Sequence, residues 1–258
     1  MKNFLTLPSR KQKPRTSGLN CLLDNGLGTH IFSDIIQSHH SLIDHVKFGW
    51  GTSIVTKDIE KKISLCRENN IEYFFGGTLF EKALIQNKVD DFMAFCKSYD
   101  CSYIEVSNGT VDLSNEEKAK HISKLAKNFK ILSEVGYKDS QKSLNLSPAK
   151  WIEYIRQDFE AGSSYVITEA RESGTSGICR SDGELRFGLI AEIADSGLDL
   201  NKMIFEAPNK ALQSYFISNL GPDVNLGNLS PMDIIGVETL RLGLRSDTLL
   251  TMEKHSAL

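Results

Sequence analysis

The sequence predicts a single (β/α)8 TIM barrel, an α/β fold, and three observations carry that expectation. Eight short runs rich in β-branched and aromatic residues alternate with segments of helical periodicity, and their starts recur roughly every 20 to 37 residues, about what one βα unit needs. Three of these runs end in glutamate just before a Gly- or Pro-containing turn, and such carboxylate tips converge only where the strands are parallel neighbours. The 258 residues, 40% apolar and 24% charged, suffice for one large core, and no Ser- or Pro-rich linker divides them.

The strands follow in order. Leu19 to Leu23 ends at Asp24, His45 to Phe48 runs into Gly49-Trp50-Gly51, and Glu72 to Phe75 ends in Gly76-Gly77. Tyr103 to Val106 is the fourth. The glutamate-tipped runs Lys130 to Glu134, Tyr165 to Glu169 and Lys202 to Glu206 are the fifth, sixth and seventh. Val224-Asn225-Leu226, ending at Gly227, is the eighth. Between them, Thr56-Lys57-Asp58-Ile59-Glu60 opens a helix to Glu68, and Ser114-Asn115-Glu116-Glu117 is a capping-box pattern. Ser147-Pro148 starts a helix with proline just inside its first turn and Trp151, Ile152, Ile155 and Phe159 on one side; Leu229-Ser230-Pro231 repeats the device. The expected unit is one domain over residues 1 to 258, with frayed ends near 1 to 14 and 252 to 258.

Composition narrows the function classes. With 33 acidic and 30 basic side chains the formal net charge is -3, so no global field favours nucleic acid or an anionic membrane. Any anion must be held locally. The five cysteines form no CxxC pair, and their odd count suits reduced structural thiols. The apolar patch Phe4-Leu5-Thr6-Leu7 is too short for a signal-peptide core, and no later run approaches the about 18 apolar residues that cross a bilayer. A soluble, cytoplasmic protein is expected, and a homo-oligomer by analogy with barrel enzymes generally.

In a barrel the loops after the strands build the site, which sorts the charged residues. Asp24, Lys47, Glu105, Glu134, Lys138, Glu169, Arg171 and Glu206 fall on the chemical side. Each alone also suits a cap or an ion pair; together they suit a shared site. Convergent carboxylates repel unless a cation or proton intervenes, so Glu105, Glu134, Glu169 and Glu206 are candidate ligands for a hard divalent cation. Lys47 lies inside a strand, where an unpaired ammonium is costly, so it is expected to face an anionic group. Arg171 suits bidentate binding of an oxyanion. The glycine turns Gly49-Trp50-Gly51-Thr52-Ser53, Gly76-Gly77-Thr78 and Asn225-Leu226-Gly227-Asn228 can present backbone N–H groups to an anion, which makes Gly76, Gly77, Asn225 and Gly227, with Asp24, candidate substrate contacts. Arg241 and Arg245 either reach the candidate phosphate loop or pair with Glu238 or Asp247, and the structural reading is preferred. His39, His40 and His45 lack a further spaced ligand and read as a solvated turn rather than a zinc site. Trp50 reads as a packing residue.

The ordered segments Lys13-Pro14-Arg15, Lys47-Phe48-Gly49-Trp50-Gly51-Thr52-Ser53, Gly76-Gly77-Thr78-Leu79-Phe80-Glu81, Ser133-Glu134-Val135-Gly136-Tyr137-Lys138-Asp139, Glu169-Ala170-Arg171-Glu172-Ser173-Gly174, Phe205-Glu206-Ala207-Pro208 and Val224-Asn225-Leu226-Gly227-Asn228 together resemble the phosphosulfolactate synthase family. Leu240 to Thr248 extends the resemblance towards the C-terminus. One departure is Asn20, where the family is expected to carry threonine. The resemblance implies a barrel enzyme that adds sulfite to phosphoenolpyruvate with magnesium, giving (2R)-phospho-3-sulfolactate on the way to coenzyme M or other sulfonates. It implies Lys138 as the proton donor, its pKa lowered towards the working pH by a nearby divalent cation, and with those substrates it assigns Lys47 to the substrate carboxylate or sulfite and Arg171 to phosphate or sulfonate. Two other expectations stand beside it: a lysine Schiff-base lyase of the aldolase type using Lys47 or Lys138, and a non-enzymatic stress protein on the same barrel, since the family also includes plant heat-stress-associated 32 kDa proteins.

Overall fold

The computed structural model describes residues 4–256, and within them the expected barrel is present. Its strands are β1 (Asn20–Asp24), β2 (His45–Phe48), β3 (Glu72–Phe75), β4 (Tyr103–Val106), β5 (Lys130–Val135), β6 (Ser163–Thr168), β7 (Met203–Glu206) and β8 (Leu226–Leu229). All ladders are parallel, in the order β3-β2-β1-β8-β7-β6-β5-β4, so the ring is hydrogen-bonded everywhere except between β3 and β4. The barrel is nearly closed. In chain order the helices are α1 (Thr29–His39), α2 (Thr52–Val55), α3 (Ile59–Glu68), α4 (Gly77–Ile85), α5 (Val89–Ser98), α6 (Asn115–Leu125), α7 (Ser140–Asn145), α8 (Pro148–Glu160), α9 (Phe187–Asp195), α10 (Lys210–Leu220), α11 (Ile234–Arg241) and α12 (Leu249–Ser256).

Local sequence explains the boundaries. Ser114 and Glu117 form the full capping box at the start of α6, and Ser147 accepts from the Lys150 N–H with Pro148 just inside α8. Strands buried on both faces read as near-continuous apolar runs, which is why seven of the eight were legible. The eighth starts two residues further along the chain than expected, at Leu226 rather than Val224. Gly227, taken as its terminator, sits inside β8, where an added Cβ would come within 2.9 Å of Ile204 Cγ2. Here glycine marks a close strand approach rather than a strand end.

Two apolar shells form. Trp151, Phe32, Phe48, Phe75, Phe80, Phe205 and Phe216 are fully buried between the barrel and its helices. Inside the barrel, Cys21, Phe74, Tyr103, Leu132, Ile167 and Ile204 make a smaller core joined by Tyr165. The N-terminal segment, expected to fray over residues 1 to 14, is pinned from Arg10 onwards. Arg10 bonds Glu238 at 2.8 Å, Asp223 at 3.1 Å and the Gly18 carbonyl at 3.0 Å, while Arg15 pairs with Asp44 at 2.9 Å. This strap crosses the end of the barrel where the strands begin. All five cysteines are buried and free.

Candidate active site

Residues two apart on a strand share a face, so the inward positions of the apolar interior continue upward to the mouth. Tyr103 leads to Glu105, Leu132 to Glu134, Ile167 to Glu169, Ile204 to Glu206 and His45 to Lys47. The mouth layer therefore carries charge where the layer beneath is apolar. It lines a cavity of about 310 Å³ together with Gly76, Gly77, Thr78, Lys138 and Arg171.

The charges interlock. Lys47 Nζ lies 3.0 Å from Glu105 Oε1, 3.4 Å from Glu206 Oε1 and 3.7 Å from Glu134 Oε2. Lys138 Nζ donates to Glu134 Oε1 at 2.9 Å and Glu169 Oε2 at 3.0 Å. Glu105 Oε1 also accepts the Gly77 N–H at 2.9 Å, and Glu206 Oε2 accepts the Ala170 N–H at 2.7 Å. Behind β5, the buried Lys118 donates to the Glu134 carbonyl and pairs with Asp158, both at 2.8 Å, which fixes the strand tip that aims Glu134. All four glutamates are buried, so four carboxylates face two ammoniums and two negative charges are in surplus when every group is ionised.

Protons take up part of that surplus. Burial, then the neighbouring Glu134 charge, raises the Glu169 carboxyl well above the usual range. Burial, only partly offset by Lys47, pushes Glu206 up to about 7 and also raises Glu105. Glu134 goes the other way: burial opposes its ionisation, but the charges of Lys138 and Lys47 and a hydrogen bond from Glu169 outweigh it. The lysines are correspondingly held charged. Desolvation works against the Lys138 ammonium, yet Glu134 and Glu169 lift its pKa well above the ordinary value, opposite to the expected lowering. Lys47 is lifted in the same way by Glu105, Glu206 and Glu134.

Ligand oxygens of Glu134, Glu169 and Glu206 lie within 4.8 Å of one another. Three hard donors around one point, inside an electronegative cluster, fit a divalent cation such as magnesium. Glu105, expected in the same set, stands outside that group; Lys47 and the Gly77 N–H engage its Oε1, while its buried Oε2 has no hydrogen-bond partner among the described residues. Arg171 lies at the rim with no ion pair among the described residues, leaving its guanidinium free for an anion.

Several expected site residues are placed elsewhere. Leu23 faces the mouth, so Asp24, one residue on, faces outward: it binds the buried Lys62 of α3 and caps the Gly26 and Leu27 N–H groups at 2.9 Å. It is a structural anchor. Asn225 accepts the Leu19 N–H at 3.0 Å and donates to the Asn201 and Met203 carbonyls, tying strand starts together at the far end of the barrel. Gly227 packs against Ile204, and its neighbour Asn228 lines the mouth, with φ +50° and a buried Oδ1 that lacks a protein partner. Gly76 and Gly77 do line the mouth, but the Gly77 N–H is committed to Glu105, and a Cβ there would meet Glu105 Oε1 at 2.8 Å.

Other positions also differ from expectation. Trp50 is half exposed at the mouth in a left-handed conformation, φ 52°, rather than packed. His45 is buried rather than solvated. Arg241 is structural as expected, but its partners are the carbonyls of Pro222, Val224 and Leu19 and the side chain of Asn20, not an acid. Thr110 and Glu172 also line the mouth without having been singled out. Thr110 ends the turn cluster Ser107-Asn108-Gly109-Thr110 just after β4, a signal of the kind used for the other loops.

Comparison with known proteins is consistent with this geometry. Residues 8–247 match the family model "(2R)-phospho-3-sulfolactate synthase (ComA)". A phosphosulfolactate synthase of Bacillus subtilis is 53% identical over 244 residues, covering 95% of this chain and 97% of the relative. One from Methanothermobacter thermautotrophicus is 40% identical over 251 residues, 96% of each chain. The Arabidopsis thaliana protein HEAT-STRESS-ASSOCIATED 32 is 23% identical over 277 residues, covering 93% of this chain and 91% of its own.

Proposed function

The chain belongs to the (2R)-phospho-3-sulfolactate synthase family and is an enzyme of that type, and from that premise we propose that it adds sulfite to phosphoenolpyruvate with magnesium as cofactor. The observation that carries this reading is the Glu134, Glu169 and Glu206 cluster braced by Lys47 and Lys138 at one barrel mouth. These three glutamates would hold the magnesium ion, which when bound supplies positive charge against substrate oxygens that become more negative during reaction.

The chemistry assigns the remaining work to this chain's side chains. The sulfite sulfur lone pair bonds to the methylene carbon of phosphoenolpyruvate, and the alkene electrons move onto the carboxylate to give an enediolate. Lys47, a buried ammonium held charged by Glu105, Glu206 and Glu134, faces that developing charge. Arg171 receives the phosphate or sulfonate at the rim. Lys138 then delivers a proton to the carbon bearing the phosphate, collapsing the enediolate to phosphosulfolactate. Its raised pKa means that the proton is present at neutral pH, and the enediolate carbon is basic enough to take it.

A Schiff-base reading fits less well, because it needs a neutral amine and both lysines are held charged by carboxylates. The test is a phosphorus-detected assay of phosphoenolpyruvate with magnesium, with and without sulfite. A sulfite-dependent phosphosulfolactate signal supports the reading; its absence from folded, magnesium-supplied protein sinks it.

A further inference from the structure

A second and larger cavity, about 890 Å³, lies at the opposite end of the barrel, beneath the N-terminal strap. Its wall comes from strand starts: His45 on β2, Glu72 on β3, Tyr103 on β4 and Lys130 on β5, with Tyr165 of β6 inside. It sits where β3 and β4 are not hydrogen-bonded to each other, so the incomplete ring leaves room there. This end of a barrel ordinarily serves stability, and a well-packed floor needs no such volume.

The polar groups in it are unspent. His45 is 5% exposed, and neither ring nitrogen has a hydrogen-bond partner. Burial depresses its pKa, so the ring is neutral and offers one donor and one acceptor. Among the described residues, no hydrogen bond is made by the hydroxyls of Tyr103 or Tyr165, and burial holds both above the usual phenol range, to about 12 for Tyr103, so both are donors. The three rings stand edge to face, His45 to Tyr103 at 5.1 Å and 86° and His45 to Tyr165 at 6.4 Å and 71°. Such an arrangement accepts another flat ring.

Charge at the rim favours an anion. Arg15 pairs with Asp44 and Arg67 with Asp100, which neutralises those four groups. Lys130, 5.1 Å over the Tyr103 ring, makes no ion pair among the described residues, and Lys13 bonds only the His40 and Ile43 carbonyls. Against these two ammoniums stands the single unpaired carboxylate of Glu72. The balance is one positive charge.

We propose that this cavity is a second ligand site, separate from the carboxylate cluster, which takes a small aromatic carboxylate of one or two rings. The ring lies among His45, Tyr103 and Tyr165, and the carboxylate faces Lys130. The volume falls within the range of small-molecule sites, about 300–1,000 Å³.

Naphthoate is the probe, titrated into the full-length protein and followed by its own fluorescence and by calorimetry. One saturable site is expected, unaffected by saturating phosphoenolpyruvate and retained in Lys138→Ala. Affinity should fall about tenfold or more in Lys130→Ala and in Tyr165→Phe, each of which removes one hydrogen-bonding or charged partner. Lys130 is exposed, so its variant keeps the test open if the interior Tyr165→Phe folds poorly. Absence of saturable binding, competition by phosphoenolpyruvate, or affinity unchanged in Lys130→Ala would each overturn the proposal.

Discussion

Single residues decide the chemistry and separate site from scaffold. Lys138→Ala removes the ammonium between Glu134 and Glu169; we expect product formation to fall below detection and folding stability to drop by about 1–3 kcal/mol. Added magnesium or lower pH should return part of that stability in denaturant melts, since each neutralises the stranded carboxylates. Asp24→Asn is the contrasting case. It breaks the buried pair with Lys62, so a stability loss of about 3–5 kcal/mol is expected while the KM for phosphoenolpyruvate stays unchanged. A raised KM with intact stability would return Asp24 to the site. Glu206 sets a pH dependence: its carboxyl, pushed up to about 7, must lose a proton before it can bind a cation. Magnesium affinity, measured calorimetrically, should therefore weaken as pH falls through about 7, and the raised Glu169 carboxyl acts in the same direction.

At the scale of elements, alternation along each strand does most of the positioning, and much of it was legible in advance. Runs such as Tyr165-Val166-Ile167-Thr168-Glu169 combine β-branched residues with a carboxylate at the tip, so both the strand and its chemical end could be read. The same period of two would have turned Asp24 outward, once Leu23 was known to face in, but sequence alone does not say which face is inward. The eighth strand was misplaced because glycine signals a turn or a close approach with equal force, and only the position of Ile204 tells them apart. The caps of α6 and α8 were legible, whereas the expected cap before α3 makes no side-chain hydrogen bond: Ser114→Ala should cost about 1 kcal/mol in melting experiments and leave turnover per folded molecule unchanged, because α6 is held at its start rather than at the site. The left-handed backbone at Trp50 had no sequence signal, since a bulky aromatic rarely adopts it, whereas Asn228 is of a type that does so more readily.

For the whole molecule, one barrel separates two ends with opposite demands: a charged mouth and a floor that buries His45 among aromatic rings. The gap between β3 and β4 was not legible, because both strands carry ordinary apolar runs and the missing ladder is a property of ring closure. Burial depresses the pKa of His45 below its ordinary 6.5. Between that lowered value and 6.5 the unfolded chain binds the proton and the folded one does not, so stability rises with pH across the window and is lost as pH drops below 6.5. Melting curves of His45→Phe should lack this contribution to the acid-side loss. The central proposal concerns the mouth, where Glu134, Glu169 and Glu206 would form a cation site for sulfite addition and Lys138 would give the proton. It is tested most directly by mass-detected phosphosulfolactate formation from phosphoenolpyruvate and sulfite across a magnesium titration, in the unaltered protein and in Glu134→Gln. The account predicts magnesium-dependent product in the former, and a greatly raised magnesium requirement or no turnover in the latter; superimposable titration curves would contradict it.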